Sequence, residues 1–257
     1  MSRGRLDARV AVQHGAFALD VALTVEPGTT VALVGRNGAG KSTLLNALAG
    51  LEPVQRGSIV LDDQVLDGGP GTESVSPERR PVGFVQQQVA LFPHLSVLDN
   101  VAFGLRTAGR SRSSARTAAR RALEHAGLDA LAERRPAAVS GGQAARIALL
   151  RATVRRPALL LLDEPLAAID AESRPAVRER IRADLADFDG SAIVVTHDVR
   201  DADALADQVV VLDAGRLLQM GTLAHLRAAP VDPVVTLLLK GQRQNGQTSR
   251  NSPAVSG

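Results

Sequence analysis

The 257-residue sequence contains no cysteine, tryptophan or tyrosine. Without cysteine, the chain has no disulfide framework, no thiolate ligands for zinc or iron–sulfur clusters, and no cysteine nucleophile. No apolar run approaches the roughly 18 consecutive residues that a transmembrane helix needs. Residues 1–5 lead into no hydrophobic stretch, so no secretory signal is expected. We therefore expect a cytoplasmic protein that folds around its own apolar core.

Lysine is also scarce. Two of the 30 basic residues are lysines, Lys41 and Lys240, and the other 28 are arginines. The many arginines therefore stand in place of lysine and do not add to the total positive charge. Because the net charge is only +3, no nucleic-acid partner is expected. Against this background, Lys41 stands out because it lies inside a glycine-rich segment.

The pattern of apolar residues predicts strands that alternate with helices. Residues 17–25 are apolar at every second position, as in a strand with one buried face. Short apolar runs predict further strands at 31–34, 81–85, 158–162 and 191–195, and a hairpin at 209–220. Residues 96–151 are predicted to be mostly helical, and the polar segment 241–257 to be a disordered tail. This order indicates an α/β protein with a central parallel sheet.

The segment 35–42, GRNGAGKS, fits the phosphate-binding pattern G-x-x-x-x-G-K-[ST] in full. It follows an apolar strand and opens a predicted helix at 41–49, which is the context that the motif requires; a glycine-rich turn before a helix is the alternative. We expect nucleotide contacts from Gly35, Arg36, Asn37, Gly38, Ala39, Gly40, Lys41, Ser42 and Thr43. Lys41 would reach the β- and γ-phosphates and Ser42 would bind Mg²⁺.

Two carboxylates follow the apolar strand predicted at 158–162. Ligands bind at the carboxyl ends of parallel strands, so this strand would deliver Asp163 to Mg²⁺ beside the nucleotide. The adjacent Glu164 would polarise an attacking water as a general base. A solvated acidic turn before Pro165 is the alternative interpretation.

A second glycine motif, Ser140-Gly141-Gly142-Gln143, precedes another helical stretch. A serine and two glycines at a helix start form an anion-binding N-terminus or an ordinary helix cap. One nucleotide needs only one phosphate loop, so the second loop requires an explanation.

These motifs, in this order, resemble the ATP-binding cassette (ABC) family, the ATPase subunits of ABC transporters. The resemblance covers roughly residues 6–235. It implies a P-loop NTPase (RecA-like) core with a mostly parallel sheet, an antiparallel β subdomain and an inserted helical subdomain at about 88–150. The ATPase domain would then span residues 1–240.

The resemblance also implies a role for each matching residue. Gln87, in the sequence GFVQQ, is similar to the family glutamine that senses Mg²⁺ and the γ-phosphate. Glu164 matches the catalytic base and His197 the γ-phosphate switch residue. Asp170 matches the loop aspartate at the seam of a head-to-tail homodimer, in which the 140–143 loop of one subunit closes on ATP held by the other.

Some positions depart from the family pattern. Val139 stands where leucine is usual before the signature, and Ala144 and Ala145 follow it where polar and basic residues are commoner. The aromatic residue that stacks on adenine would fall near Val12, with His14 and Phe17 as the candidates to replace it. The alternation at 17–25 makes a core position an equal alternative for Phe17.

An importer ATPase is the first functional interpretation. Residues 91–97 resemble the surface that docks separate permease subunits at the cytoplasmic face of the membrane, with an extracytoplasmic solute-binding protein as an indirect partner. The N-terminus and residues 89–101 look most like importers of molybdate and related oxyanions. The alternatives are a soluble ABC ATPase of DNA repair, chromosome maintenance or translation, and an unrelated P-loop kinase. The Arg-rich stretch at 106–121 is interpreted as a solvated helix face.

Overall fold

A computed structural model describes residues 3–87 and 90–240. The predicted tail at 241–257, and residues 88 and 89 at the predicted start of the helical subdomain, lie outside the described residues. The strands are β1 Leu6–His14, β2 Phe17–Val25, β3 Thr30–Gly35, β4 Arg56–Leu61, β5 Gln64–Asp67, β6 Val82–Val85, β7 Leu159–Asp163, β8 Ser191–Val195, β9 Gln208–Asp213 and β10 Arg216–Gly221. The helices are α1 Lys41–Ala49, α2 Val97–Thr107, α3 Arg112–His125, α4 Gly141–Thr153, α5 Arg174–Ala186, α6 Val199–Leu205, α7 Leu223–Ala228 and α8 Pro233–Lys240.

The strands form one ten-stranded mixed sheet in the order β5-β4-β1-β2-β10-β9-β3-β8-β7-β6. The five strands from β9 to β6 run parallel, and the strands from β5 to β2 run antiparallel. Strand β10 joins the two parts, because it pairs with β9 and contacts β2 where Arg216 faces Asp20. The predicted α/β P-loop fold, with parallel and antiparallel parts, is therefore confirmed.

Helices cover the sheet and build its cores. Helix α1 packs on the sheet among the apolar side chains of β1, β2 and β3, while α2, α3 and α4 bury theirs together with β7 and β8. The predicted helical stretch at 96–151 is interrupted twice, by a short connection between α2 and α3 and by a longer gap between α3 and α4. Gly127 (φ 65°) follows α3, and Pro136 begins one of two short 3₁₀ turns that fill the gap.

The parallel register places the functional loops at one edge of the sheet. Asp163 at the end of β7 lies opposite Val195 at the end of β8, and Val195 in turn lies opposite Leu33 near the end of β3. Val85 ends β6 beside Leu162. The segments that follow β3, β6, β7 and β8 therefore leave the sheet on the same side, where ligands of α/β proteins bind. No helix among the described residues is long and apolar enough to cross a membrane.

Candidate active site

The glycine-rich loop after β3 wraps tightly before α1 begins. Gly40 is the N-cap of α1 and has a φ of 101°, a conformation that glycine adopts without strain. A Cβ atom at Gly40 would lie 2.8 Å from Leu19 Cδ1 and 2.9 Å from Phe17 Cζ. Helix α1 has no side-chain cap and no acidic residue in its first turn. Its first amides thus remain as donors for an anion.

Lys41 lies folded against this loop. Its side chain is buried, and Nζ donates hydrogen bonds to the carbonyls of Gly35 at 2.9 Å and Arg36 at 3.0 Å. Burial lowers the pKa of Lys41, and the charges of Glu164 and Asp163 oppose that shift. Both carboxylates act on Lys41, so the predicted phosphate loop and the predicted carboxylate pair form one electrostatic unit.

A cleft of about 610 Å³ gathers most of the predicted nucleotide and catalytic residues. Its volume lies within the range of small-molecule sites. The residues that line it are Phe17, Asn37, Gly38, Ala39, Gly40, Lys41, Ser42, Thr43, Gln87, Asp163, Glu164 and Val195. The cleft therefore joins the phosphate loop to the segments after β6 and β7, which lie far from it in sequence.

Ser42 and Asp163 are the paired oxygen donors of the cleft. Ser42 Oγ donates to Asp163 Oδ2 at 3.4 Å, and burial together with the nearby Glu164 charge raises the pKa of Asp163. Among the described residues no cluster of three or more His, Asp or Glu side chains surrounds this point. A hydroxyl and a carboxylate fit Mg²⁺, because that ion takes oxygen ligands and usually keeps water or phosphate oxygens in its remaining positions.

Gln87 and His197 both contact Glu164. Gln87 Nε2 donates to Glu164 Oε2 at 3.2 Å, and His197 Nδ1 lies 3.3 Å from the same oxygen. Glu164 has a φ of 48°, and its backbone amide donates to Val195 O at 3.0 Å. The backbone strain and the bond to β8 fix the direction in which the carboxylate leaves the strand end.

The second glycine motif lies in a different groove. This groove, of about 560 Å³, shares no lining residue with the cleft and is lined in part by Ser140, Gly141, Gly142, Gln143 and Asp170. The structure brings Asp170 beside the 140–143 loop, and both lie apart from the phosphate loop of the same chain.

The 140–143 loop is also an ordinary helix cap. Gln143 N donates to Ser140 Oγ at 3.3 Å, and Ser140 N donates to Gln143 Oε1 at 3.0 Å. This reciprocal capping box satisfies two amides at the start of α4. A Cβ at Gly142 would lie 2.5 Å from Val177 Cγ2, so glycine lets α4 approach α5 closely. The cap and the anion-binding loop are thus compatible interpretations of one structure.

The structure separates the candidates for the base-stacking residue. Phe17 lines the cleft beside the phosphate loop. His14 lies opposite Phe17 in the β1–β2 pair, but its ring pairs with Glu52 at 3.3 Å. Val12 is buried in the core of the sheet. Of the three residues, Phe17 alone combines a ring with a place in the cleft.

The sequence analysis did not identify the buried polar residues that hydrogen-bond to the segments flanking the site. Asn100 is fully buried and bonds Phe92 N at 2.8 Å and the carbonyls of Phe92 and Ser96 at 3.1 and 3.0 Å, which orders the segment after Gln87. A second such residue, Asp201, is buried on α6. The available signal was a polar residue at a position that helical periodicity assigns to the apolar face.

The arginines of the 106–121 stretch are mostly solvent-exposed, and they have two kinds of surroundings. Arg116 and Arg120 bind Asp99 and Glu133. Arg106, Arg110 and Arg112 instead line a groove with His94, Leu95, Phe103 and Thr107. These three arginines are solvent-exposed, as the solvated-face interpretation predicts, and they border the segment predicted to dock a permease.

Comparison with known proteins agrees with this geometry. The sequence profile of a family described as "ABC transporter" matches residues 19–167. The chain belongs to the ABC transporter family. A solved structure titled as a dimeric, post-hydrolysis state of the ATP-binding cassette MJ0796 bound to ADP and Pi superposes with a TM-score of 0.68 and 26% identity, and the match covers 86% of this chain and 98% of that one.

Several curated relatives are named as import ATP-binding proteins. The Fe(3+) ions import ATP-binding protein FbpC of Agrobacterium fabrum is 42% identical over 86% of this chain and 62% of its own length. The sulfate/thiosulfate import ATP-binding protein cysA of Cucumis sativus is 43% identical over 84% and 61%. FbpC 3 of Rhodococcus jostii is 46% identical over 82% and 60%. The chain thus spans less than two thirds of the length of these relatives, and their names do not support the narrower expectation of molybdate.

Proposed function

We propose that the protein is the ATP-hydrolysing subunit of an ABC importer. The observation that carries the proposal is the division of the predicted residues into two groups. Lys41, Ser42, Asp163 and Glu164 share one cleft with Gln87, while the 140–143 loop and Asp170 share another groove. A chain with two incomplete phosphate-binding surfaces is suited to work as a pair.

The chain's own side chains suggest how ATP would be bound and cleaved. The amides at the start of α1 would bind the phosphates, and Lys41 would exchange its contacts with Gly35 and Arg36 for phosphate oxygens. Ser42 and Asp163 would hold Mg²⁺, which when bound neutralises charge on the transferring phosphoryl group. Glu164 would accept a proton from the attacking water. Gln87 and His197 would hold that carboxylate through Oε2.

A head-to-tail homodimer would complete each site. The 140–143 loop lies at the N-terminus of α4, whose potential favours an anion. In the proposed dimer this loop of one subunit faces the γ-phosphate bound by its partner, with Asp170 at the seam. The proposal explains why one chain carries two phosphate-binding loops that do not meet within it.

The permease would dock beside α2. Phe92 packs against Phe103 with ring centroids 4.5 Å apart, and the Arg151 guanidinium lies 5.1 Å from the centroid of Phe92. Phe103 remains partly exposed. This ordered aromatic surface follows Gln87 in sequence, so movement of a docked permease helix would reach the catalytic cleft through a short segment. Docking would place the protein at the cytoplasmic face of the membrane.

An inorganic ion is the proposed cargo, and an extracytoplasmic solute-binding protein would deliver it to the permease. The support is the naming of relatives at 42–46% identity for Fe(3+) and for sulfate/thiosulfate. Cargo is selected outside the ATPase, so uptake must be measured in cells that carry the cognate permease and binding protein. Uptake of labelled Fe(3+), sulfate and molybdate, with and without this chain, distinguishes the three. ATP-dependent uptake of none of them would contradict the proposed cargo class.

Glu164→Gln tests the catalytic part of the proposal. The substitution keeps shape and hydrogen bonding to Gln87 but removes the charge that polarises water. We expect turnover to fall about 10²–10⁴-fold while ATP still binds. Because intact ATP would hold the proposed dimer closed, a dimer should accumulate with ATP and not with ADP. Turnover and size-exclusion chromatography are measured on the same preparation.

Glu133→Gln is the matched control, because Glu133 is an exposed carboxylate that contacts Arg116 and Arg120. It should leave turnover unchanged. Near-normal turnover in Glu164→Gln would assign the base to another residue, with His197 the next candidate. Low turnover without an ATP-dependent dimer would contradict the closed-dimer mechanism alone.

A further inference from the structure

Helices α5 and α6 each begin a few residues after a predicted site residue. Helix α5 begins four residues after Asp170, and Arg174 N donates to Asp170 O at 3.0 Å. Ser173 N donates to Asp170 Oδ1 at 2.8 Å. Helix α6 begins two residues after His197. A rigid link between α5 and α6 would therefore connect the proposed dimer seam to His197.

Such a link exists at Asp201. The Asp201 side chain on α6 is 2% exposed and accepts from Arg174 Nη2 at 2.6 Å and from Arg178 Nε at 2.8 Å. The two arginines are four residues apart and so share one face of α5. A carboxylate buried this deeply needs such partners, because burial without them strongly disfavours its charge.

The geometry favours positioning over stability as the reason for this cluster. Well-packed apolar side chains would serve stability equally well or better than buried ions. In the part of the chain that the structure describes, Arg174 Nε is buried and has no hydrogen-bond acceptor. The orientation that lets Arg174 Nη2 bind Asp201 therefore leaves another nitrogen of the same guanidinium without a partner. The rigid guanidinium plane also fixes direction more tightly than apolar contact does.

The cluster also reaches the residue next to His197. Asp198 caps α6 by accepting from Arg200 N at 2.8 Å, and its carbonyl accepts from Asp201 N at 3.0 Å. Burial opposes ionisation of Asp198, but Arg200 and, to a smaller extent, the charge of Arg174 lower its pKa. Arg174 thus acts on both Asp201 and the N-cap of the helix that follows His197.

We propose that Arg174 and Arg178 are positioning residues that hold His197 against Glu164 by clamping Asp201. The clamp fixes α6 to α5 and so keeps His197 in register with the Asp170 loop. This inference rests on the proposed ATPase function, since its kinetic consequence is a loss of turnover. Its structural consequence, a displaced His197 ring, is independent of catalysis.

The test compares Arg174→Met and Arg178→Met with Arg116→Met in the full chain. Arg116 is the matched control because it forms a 2.6 Å ion pair with Asp99 between two other helices. The measurements are kcat, KM for ATP, and the ring resonances of His197. The chain has five histidines, and His197 is assigned by the signal lost in His197→Gln.

The clamp variants should lower kcat roughly tenfold, because a small displacement of a positioned group has an effect of that order or larger. KM should change little, since the P-loop is untouched. The His197 resonances should shift in both variants and stay in place in Arg116→Met, and Arg178→Lys, which keeps the charge but lacks the planar guanidinium, should recover only part of the turnover. If Arg174→Met does not fold, Arg178→Met carries the test, because it leaves the Arg174–Asp201 pair intact.

Unchanged His197 resonances in folded clamp variants would overturn the proposal. An equal loss of kcat in Arg116→Met would do the same, because it would show a general effect of destabilisation. Absence of hydrolysis by the wild-type chain would instead contradict the proposed function. In that case the resonances of His197 would still decide whether the clamp positions it.

Discussion

His197 Nδ1 lies 3.3 Å from Glu164 Oε2, although 33 positions separate the two residues in the sequence. Neighbouring parallel strands bring them together, because Asp163 at the end of β7 pairs with Val195 at the end of β8. A shift of this register would displace the two strand ends relative to each other by about 3.3 Å per residue. The contact between the proposed base and its neighbour is therefore a consequence of sheet register.

Lys41→Ala should weaken ATP binding. Lys41 is the one lysine of the phosphate loop, and hydrogen bonds to charged groups are worth about 1.5–3 kcal/mol. Isothermal titration calorimetry measures the loss. Lys240→Ala removes the other lysine of the chain and should leave the affinity as it was. Equal affinity in wild type and Lys41→Ala would contradict the assignment of the phosphate loop.

Ser140→Arg should separate nucleotide binding from hydrolysis. The side chain caps α4 in a groove separate from the cleft, so an isolated subunit should bind ATP normally. An arginine there would obstruct the closing of the proposed dimer and abolish turnover. Binding is measured by calorimetry and turnover by phosphate release.

Ser111→Arg is the control for that experiment, because Ser111 Oγ caps α3 in the same way by accepting from Ser114 N. Each substitution should cost about 0.5–2 kcal/mol of unfolding free energy through loss of a cap. Only Ser140→Arg should abolish hydrolysis. Full activity in Ser140→Arg, or loss of ATP binding by its monomer, would argue against the proposed dimer, in which the 140–143 loop faces ATP bound by the partner subunit.

Phe17→Leu should weaken the binding of ATP but not of tripolyphosphate. The aromatic ring lines the cleft, and stacking of a base on such a ring is worth about 1–3 kcal/mol. Leucine keeps an apolar side chain against Gly40, and Phe17→Tyr keeps the ring and should retain the affinity. Competition binding with the two ligands separates base contacts from phosphate contacts. A larger effect of His14→Ala would assign the base to His14 instead.

Asp99→Asn should destabilise the helical part of the protein in a pH-dependent way. Burial opposes the charge of Asp99, but the 2.6 Å hydrogen bond and the charge of Arg116 bring its pKa below the usual value. A lowered folded-state pKa contributes stability above the unfolded pKa of about 3.9, and that stability is lost as pH falls through the folded value. The substitution should cost about 1.5–3 kcal/mol at pH 7.

Urea unfolding of wild type and Asp99→Asn from pH 7 down to about pH 3 measures this difference. The gap between them should stay constant above about pH 5 and narrow as the pH falls below about 3.9, where Asp99 of the unfolded wild type takes up its proton. A gap that does not change with pH would show that Asp99 acts by packing and not by its charge.

The sequence determined the features that depend on neighbouring residues. The alternation at 17–25, the helix at 41–49 with Gly50 after it, and the phosphate loop all follow from local geometry. A strand, a turn and a helix start are set by backbone preferences over a few residues, so their signals survive without knowledge of the rest of the chain. The family resemblance depended on the order of such local motifs.

The tertiary structure decided which residues meet. It brought Gln87 and His197 to one carboxylate oxygen of Glu164. It also separated the 140–143 loop from that cleft and placed Phe17, not His14, beside the phosphate loop. It also buried Asp201 between two arginines of another helix. These contacts depend on strand register and helix packing. Both are determined by the total energy of many weak interactions between segments that lie far apart in the chain. A pattern of neighbouring residues does not contain these long-range energies, so the contacts become visible only in the folded chain.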